Sequence, residues 1–119
     1  PTADGTCVRD YIHVNDLGSA HLAALKLLQP GSNLQMNLGT GQGTSVMEVI
    51  NACRKVTGHP IPAQIGPRRP GDPAMLIADS TLAQRTLNWK PKYMSIEPIV
   101  ETAWRWHQSH PQGYRSVGK

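Results

Sequence analysis

Apolar and polar residues alternate near the start of the chain, over residues 7–14. A period of two in a segment with several β-branched residues predicts a short strand. Arg9 would share one face of that strand with Tyr11 and His13. The pattern leaves two alternatives for this arginine: a side chain aimed at an anion, or an exposed side chain at a sheet edge.

Apolar residues at helical spacing predict four helices further along the chain. Each has a polar residue that can cap its first turn, and these are Asn15 or Asp16, Ser45, Asp79 or Ser80, and Ser95. The first helix is predicted to run through Leu28. The second should open with a capping box between Ser45 and Glu48 and end at Gly58.

Three other segments are predicted to be strands. Residues 34–38 alternate clearly, residues 61–65 do so more weakly, and residues 75–78 form a short apolar run. Short strands and about four helices in 119 residues predict one small mixed α/β domain.

Residues 67–73 place two arginines and an aspartate among three prolines. Proline fixes φ and cannot donate a backbone hydrogen bond, so this segment should be an ordered, non-repetitive loop. The guanidinium groups of Arg68 and Arg69 match phosphate oxygens, and Asp72 can accept from sugar hydroxyls or hold an arginine in its rotamer. The loop is therefore a candidate site for a phosphorylated sugar. The alternative is a surface turn with solvated arginines.

The glycines of residues 39–43 invite comparison with a dinucleotide-binding loop. Their spacing is G-x-G-x-G, and Thr44 stands where the dinucleotide fingerprint requires a third glycine. No acidic residue follows about 20 positions later, where Ala63 and Gln64 stand. We therefore expect a tight turn into the second helix and no NAD site in this chain.

Composition adds few constraints. A net charge of +4 suits anionic small molecules as well as nucleic acid. Cys7 and Cys53 lack C-x-x-C or zinc spacing, so we expect two reduced thiols and no metal site. The spacing of Trp89, Trp104 and Trp106 favours packing over base stacking. Without an apolar run long enough to span a bilayer, or a signal-peptide pattern, we expect a cytoplasmic chain without membrane contact.

Several motifs resemble the UDP-glucose 4-epimerase family, a branch of the extended short-chain dehydrogenases/reductases. Arg-Asp-Tyr-Ile-His-Val at residues 9–14 and Pro-Arg-Arg-Pro-Gly-Asp at residues 67–72 are fairly specific to this branch. Asn-Leu-Gly-Thr-Gly at residues 37–41 is shared with relatives that act on other nucleotide sugars, and His-Pro-Gln-Gly-Tyr at residues 110–114 favours the epimerases. The chain resembles the C-terminal, substrate-binding part of such an enzyme, without its Rossmann half.

The resemblance implies roles for five residues. Arg9 and Arg69 correspond to the two arginines that bind the diphosphate, and Asp72 corresponds to the acidic residue that contacts the nucleotide ribose. Tyr11 is implied to line the nucleotide pocket. Leu76 stands where family members vary in size beside the sugar, which leaves acceptance of N-acetylated sugars open. The implied reaction interconverts UDP-glucose and UDP-galactose through a 4-keto intermediate, with a tightly held NAD.

Two parts of that machinery are missing from this sequence. It has no Gly-rich dinucleotide loop, and Tyr11, Tyr93 and Tyr114 have no lysine four residues later, so no Tyr-x-x-x-Lys pair can supply the base. We therefore expect this chain to be inactive alone and to need an N-terminal NAD-binding domain, with a homodimer as the full-length form. Residues 1–114 would be the UDP-sugar-binding part and residues 115–119 a disordered tail.

Two other functions stay open on the sequence. One is the substrate domain of an NAD-dependent epimerase or dehydratase for another nucleotide sugar. The other is a stand-alone module that binds anions or nucleic acid through Arg68, Arg69 and the basic tail; nucleic-acid binding would need a basic stripe interleaved with exposed aromatics. If a missing domain normally covers the helix face from Leu17 to Leu28, that face should be exposed and promote self-association.

Overall fold

The computed structural model describes residues 2–114. Pro1 and the predicted tail, residues 115–119, lie outside the described residues. Within the described part, helices and two-residue strands follow in the order β1 (Val8–Arg9), α1 (Val14–Leu27), β2 (Thr44–Ser45), α2 (Val46–Thr57), β3 (Met75–Leu76), α3 (Thr81–Leu87) and α4 (Ile96–Ser109). The predicted class, a small mixed α/β domain with four helices, is confirmed. None of these helices is long and apolar enough to cross a membrane.

The central strand of the sheet is β1, in the order β2-β1-β3. It pairs antiparallel with β2 and parallel with β3, so Arg9 lies between Thr44 on one side and Leu76 on the other. Three segments that are far apart in the sequence therefore meet at β1.

β1 is shorter than the alternation over residues 7–14 predicts. Pairing stops after Arg9, because Asp10 turns its carboxylate to backbone N–H groups of other segments and His13 already caps α1. The strand predicted at residues 75–78 is likewise confirmed only for the two residues of β3.

Two predicted strands are wrong. Residues 34–38 form no strand, since both edges of β1 are taken by β2 and β3. Their alternation has another cause: Met36 and Leu38 pack against the hydrophobic core. Residues 61–65 are irregular, and Ile61 has a φ of 38°, in a region that strands do not contain.

The predicted boundaries of α2 are confirmed. The backbone N–H of Glu48 donates to Ser45 Oγ at 3.0 Å, and the N–H of Ser45 donates to Glu48 Oε2 at 2.7 Å, which completes the capping box. Gly58 follows the helix with a left-handed φ of 71°. Ser80 and Ser95 also stand at the predicted N-caps of α3 and α4, although neither side chain makes a capping bond.

The start of α1 differs from the prediction. Its N-cap is His13, whose Nδ1 accepts a hydrogen bond from the N–H of Asn15 at 2.9 Å. Asp16, one of the two predicted caps, is buried instead and accepts the N–H groups of Lys92 and Tyr93, both at 3.0 Å. Asp16, which was predicted as a possible cap, therefore links α1 to the segment that precedes α4.

The hydrophobic core is small. Ala20 of α1 is buried with Ala83 and Leu87 of α3 and with Trp89, whose indole N–H donates to Ser19 Oγ at 2.8 Å. The chain exposes 9086 Å² to solvent, whereas a compact monomer of 13.0 kDa exposes about 6300 Å². Much of the surface that a compact domain of this size would bury is therefore open.

Part of that open surface is the apolar face of α1. Leu22, Leu25 and Leu28 are 63%, 64% and 52% exposed. The exposure expected for the helix face between Leu17 and Leu28 is thus present for these leucines, and self-association through that face stays a prediction.

Candidate functional site

A cavity of about 600 Å³ lies between β1, one face of α2 and residues 63–69. Its charged lining within the described residues consists of four arginines and one aspartate, namely Arg9, Arg54, Arg68, Arg69 and Asp72. Positive charges gathered in a cleft raise the local concentration of anions and favour their binding. The cavity is therefore suited to an anionic ligand.

An ion triad stands at the centre of this lining. Arg9 Nη2 donates to Asp72 Oδ1 at 2.5 Å, and Arg69 Nη2 donates to Asp72 Oδ2 at 2.9 Å. Arg9 Nη1 also donates to the carbonyl oxygen of Val8 at 2.7 Å. The side chains of Arg9 and Asp72 are 24% and 22% exposed, whereas that of Arg69 is 85% exposed. Arg9 is thus fixed against the sheet, while Arg69 reaches in from the loop.

The two arginines also set the protonation of the aspartate. The hydrogen bond from Arg69 holds the pKa of Asp72 below its usual value, and the charges of Arg69 and Arg9 act in the same direction against the opposing effect of partial burial. Asp72 is therefore ionised at neutral pH and can accept further hydrogen bonds.

The irregular segment that carries Arg69 is tied down at both ends. Arg54, in the last turn of α2, donates from Nε to the carbonyl of Pro60 at 2.9 Å and from Nη2 to that of Ile61 at 3.0 Å. At the other end, the N–H of Val8 donates to the carbonyl of Ala74 at 2.8 Å, next to β3. The loop is thus closed onto β1 although its own residues are mostly exposed.

Four of the five site residues expected from the sequence line this cavity: Arg9, Tyr11, Arg69 and Asp72. Leu76 does not line it. It pairs with Arg9 in the sheet and lines an adjoining cavity of about 570 Å³, to which Arg9 also contributes. Arg9 therefore stands at the boundary between the cationic cavity and the one beside Leu76.

Asp10 is a structural residue of this site that the sequence analysis missed. Its Oδ1 accepts the N–H and the hydroxyl of Thr40 at 2.9 and 2.7 Å, and its Oδ2 accepts the N–H groups of Gly41 and Ala78 at 2.9 and 3.3 Å. The only available sign was an aspartate inside an alternating, strand-like segment, where this residue type is disfavoured. Arg54 was missed as well, because a basic residue in a last helical turn is common.

The glycine loop does not fit a bound dinucleotide. The N–H groups of Thr40 and Gly41, which would have to face a pyrophosphate, donate to Asp10. A Cβ on Gly39 would lie 2.5 Å from Asp10 Oδ2, and one on Gly43 would lie 2.5 Å from a side-chain carbon of β1. These glycines permit close packing in a tight turn, as predicted. Among residues 2–114, no three His, Cys, Asp or Glu side chains form a group that could hold a metal.

No protein-family model matches the chain. A UDP-glucose 4-epimerase of Halalkalibacterium halodurans is 59% identical over 119 residues, which are 99% of this chain and 36% of that protein. A crystal structure of a UDP-glucose 4-epimerase superposes with a TM-score of 0.88 at 52% identity, over 97% of this chain and 35% of the other. The structure of the Bifidobacterium longum enzyme in complex with NAD+ and UDP gives a TM-score of 0.86 at 45% identity, over 95% and 33%.

The chain thus spans about a third of the length of the relatives that it matches. The match extends along almost the whole chain in both sequence and structure. In sequence and in fold, the chain corresponds to the C-terminal part of UDP-glucose 4-epimerases.

Proposed function

We propose that this chain is the UDP-sugar-binding part of an NAD-dependent UDP-glucose 4-epimerase, and that it anchors the nucleotide diphosphate of the substrate. One observation carries the proposal. Arg9 and Arg69 are 60 positions apart in the sequence, yet both bind the same carboxylate at the wall of one cationic cavity. Two guanidinium groups converging in this way match the paired oxygens of a diphosphate.

The two arginines are placed for different tasks. Arg9 is half-buried and bonded to the β1 backbone, so its remaining donors are held in a fixed position for binding a phosphate. Arg69 is almost fully exposed on the loop and uses one donor on Asp72, so it has further donors for a ligand that enters the cavity. Such a bond gains strength as the ligand excludes water from it.

Asp72 and Tyr11 would complete the nucleotide site. An ionised carboxylate has about four acceptor positions, so Asp72 can accept ribose hydroxyls while it bonds both arginines. Tyr11 lines the same cavity and would contact the nucleotide. Leu76, beside Arg9 in the adjoining cavity, would face the sugar and limit the size of its substituents.

We assign the redox chemistry to residues outside this chain. The glycine loop does not fit a dinucleotide, and no tyrosine has a lysine four residues later. The chain would therefore bind UDP-sugars without interconverting them, and NAD would be held by the remaining two thirds of the enzyme. The homodimer is expected from the resemblance, and the cytoplasmic location stays an expectation from the sequence pattern.

Calorimetric titration of the chain with UDP, UDP-glucose, NAD and a single-stranded oligonucleotide, at low and high salt, tests this function. We expect UDP and UDP-glucose to bind and NAD to give no heat. Binding of NAD alone, or equal binding of single-stranded nucleic acid with a steep dependence on salt, would contradict the proposal. If none of the ligands binds, addition of the N-terminal part of a close relative must restore UDP binding for the proposal to stand.

Substitution of the two loop arginines sharpens the test. Arg69→Ala should weaken UDP binding about ten- to a hundredfold, because a charge-assisted bond to phosphate is lost. Arg68→Ala is the matched control: its guanidinium donates to the carbonyl of Gly5 at 3.3 Å and not to Asp72, so a much smaller loss is expected. Equal losses in the two variants would show that only the net charge of the loop matters.

A further inference from the structure

Asp72 has two separate partners that come from different parts of the chain. Its Oδ1 accepts from Arg9 on β1, and its Oδ2 accepts from Arg69 three residues earlier in the loop. The Cys7 thiol lies 3.9 Å from Oδ2. The carboxylate is thus the element that joins the loop arginine to the sheet arginine.

The two arginines depend on Asp72 to different degrees. Arg9 keeps its bond to the Val8 carbonyl if Asp72 is lost. Arg69 is 85% exposed, and among the described residues its guanidinium has Asp72 as its hydrogen-bonding partner. A long exposed side chain without a partner samples many rotamers, and a ligand must then restrict them at a cost in affinity.

We infer that Asp72 is a positioning residue, which holds the guanidinium groups of Arg9 and Arg69 at one spacing before the diphosphate arrives. This role rests on the proposed diphosphate site and is separate from any bond between Asp72 and the ribose. It predicts that Asp72 strengthens the binding of a diphosphate that carries no sugar.

The sign of that prediction is informative. Asp72→Asn removes a negative charge from an anion site, so charge alone predicts tighter binding of a diphosphate. Loss of positioning predicts the opposite, because the asparagine amide keeps one acceptor oxygen and replaces the other with a donor, which cannot pair with a guanidinium. With the remaining oxygen bonded to half-buried Arg9, exposed Arg69 loses its partner. The two effects therefore push the affinity in opposite directions.

The experiment compares the full 119-residue chain with Asp72→Asn and with Glu101→Gln, a matched charge change at an exposed position of α4. Inorganic pyrophosphate is titrated into each. We expect a net weakening of up to about tenfold in Asp72→Asn, which is the effect of releasing one rotamer-rich side chain less the gain from the lost negative charge, and unchanged binding in Glu101→Gln. Equal or tighter binding in Asp72→Asn would overturn the positioning role.

A second measurement needs no ligand. Order parameters of the arginine Nε–Hε groups, from NMR relaxation of the free chain, should fall for Arg69 in Asp72→Asn and stay unchanged in Glu101→Gln. Arg69 equally mobile with and without the carboxylate would overturn the inference. Failure of the wild-type chain to bind UDP even after addition of the N-terminal part of a close relative, together with an Arg69 that Asp72 keeps rigid, would instead refute the proposed function and leave the positioning role in place.

Discussion

Two half-buried aspartates next to β1 hold their surroundings together in different ways. Asp10 accepts four hydrogen bonds, three of them from the backbone N–H groups of Thr40, Gly41 and Ala78. Asp72 accepts from the side chains of two arginines. The partners of Asp10 are mainly backbone groups, whereas those of Asp72 are charged side chains.

The difference separates the fold from the site. Backbone donors cannot turn away without moving the chain, so the bonds to Asp10 fix where the glycine loop and the exit of β3 lie. Each guanidinium has five donors and uses one or two of them on the protein, so both partners of Asp72 can bind a phosphate while the carboxylate holds them in place. Asp10 therefore fixes the backbone next to Arg9, and Asp72 positions the guanidinium donors that line the cavity.

The largest effect should come from removal of the backbone-bound carboxylate. Asp10→Ala leaves three N–H groups without their acceptor, so we expect it to lower the free energy of unfolding by about 3 kcal/mol. Urea unfolding followed by tryptophan fluorescence measures the change. Asp79→Ala, which removes hydrogen bonding to the neighbouring Thr81 only, is the control and should cost about 1 kcal/mol or less. If both variants lose a similar free energy of unfolding, Asp10 contributes no more to stability than Asp79.

A slightly smaller effect is expected from the glycine that faces Asp10. A Cβ on Gly39 would lie 2.5 Å from Asp10 Oδ2 and 2.6 Å from Ala78 Cβ, so Gly39→Ala must displace one of them and should cost about 2 kcal/mol. Gly66→Ala meets no atom within 4 Å and should be neutral or slightly stabilising. Thermal unfolding of the two variants decides the matter, and a neutral Gly39→Ala would mean that the loop is not packed against Asp10.

Local signals in the sequence predict the helices of this chain well. The capping box of Ser45 and Glu48 and the stop at Gly58 lie within a few residues of the helix that they bound, so α2 has its predicted limits. The strands were predicted less well, because pairing depends on distant partners. The alternation of residues 34–38 reflects packing on the core, since β1 has no free edge for them.

Local pattern predicts only the loop part of the site, where Asp72 holds Arg69 as one of the two roles considered for it. Asp10 is 30 positions from Thr40 and 68 from Ala78, and Arg9 is 63 positions from Asp72. No periodicity connects residues so far apart, so their contacts appear only once the chain is folded. The motif resemblance named Arg9, Arg69 and Asp72, and it gave no sign that the carboxylate binds both arginines.

The smallest effect we expect concerns pH, and it contrasts the ion triad with a carboxylate held by neutral donors. Hydrogen bonds from Ser45 and Thr6 lower the pKa of Asp4, while the bond from Arg69 and the charges of Arg69 and Arg9 lower that of Asp72. Each ionised group contributes its full stability above the unfolded pKa of about 3.9 and loses it as pH falls through the lowered folded pKa. Carboxyl ¹³C titrations at low and high salt measure both pKa values. Added salt should raise the pKa of Asp72 toward its usual value and leave that of Asp4 nearly unchanged, because salt screens the charge of the exposed Arg69 far more than it weakens a neutral hydrogen bond. An equal response of the two aspartates to salt would mean that the arginine charges do not act on Asp72 in solution.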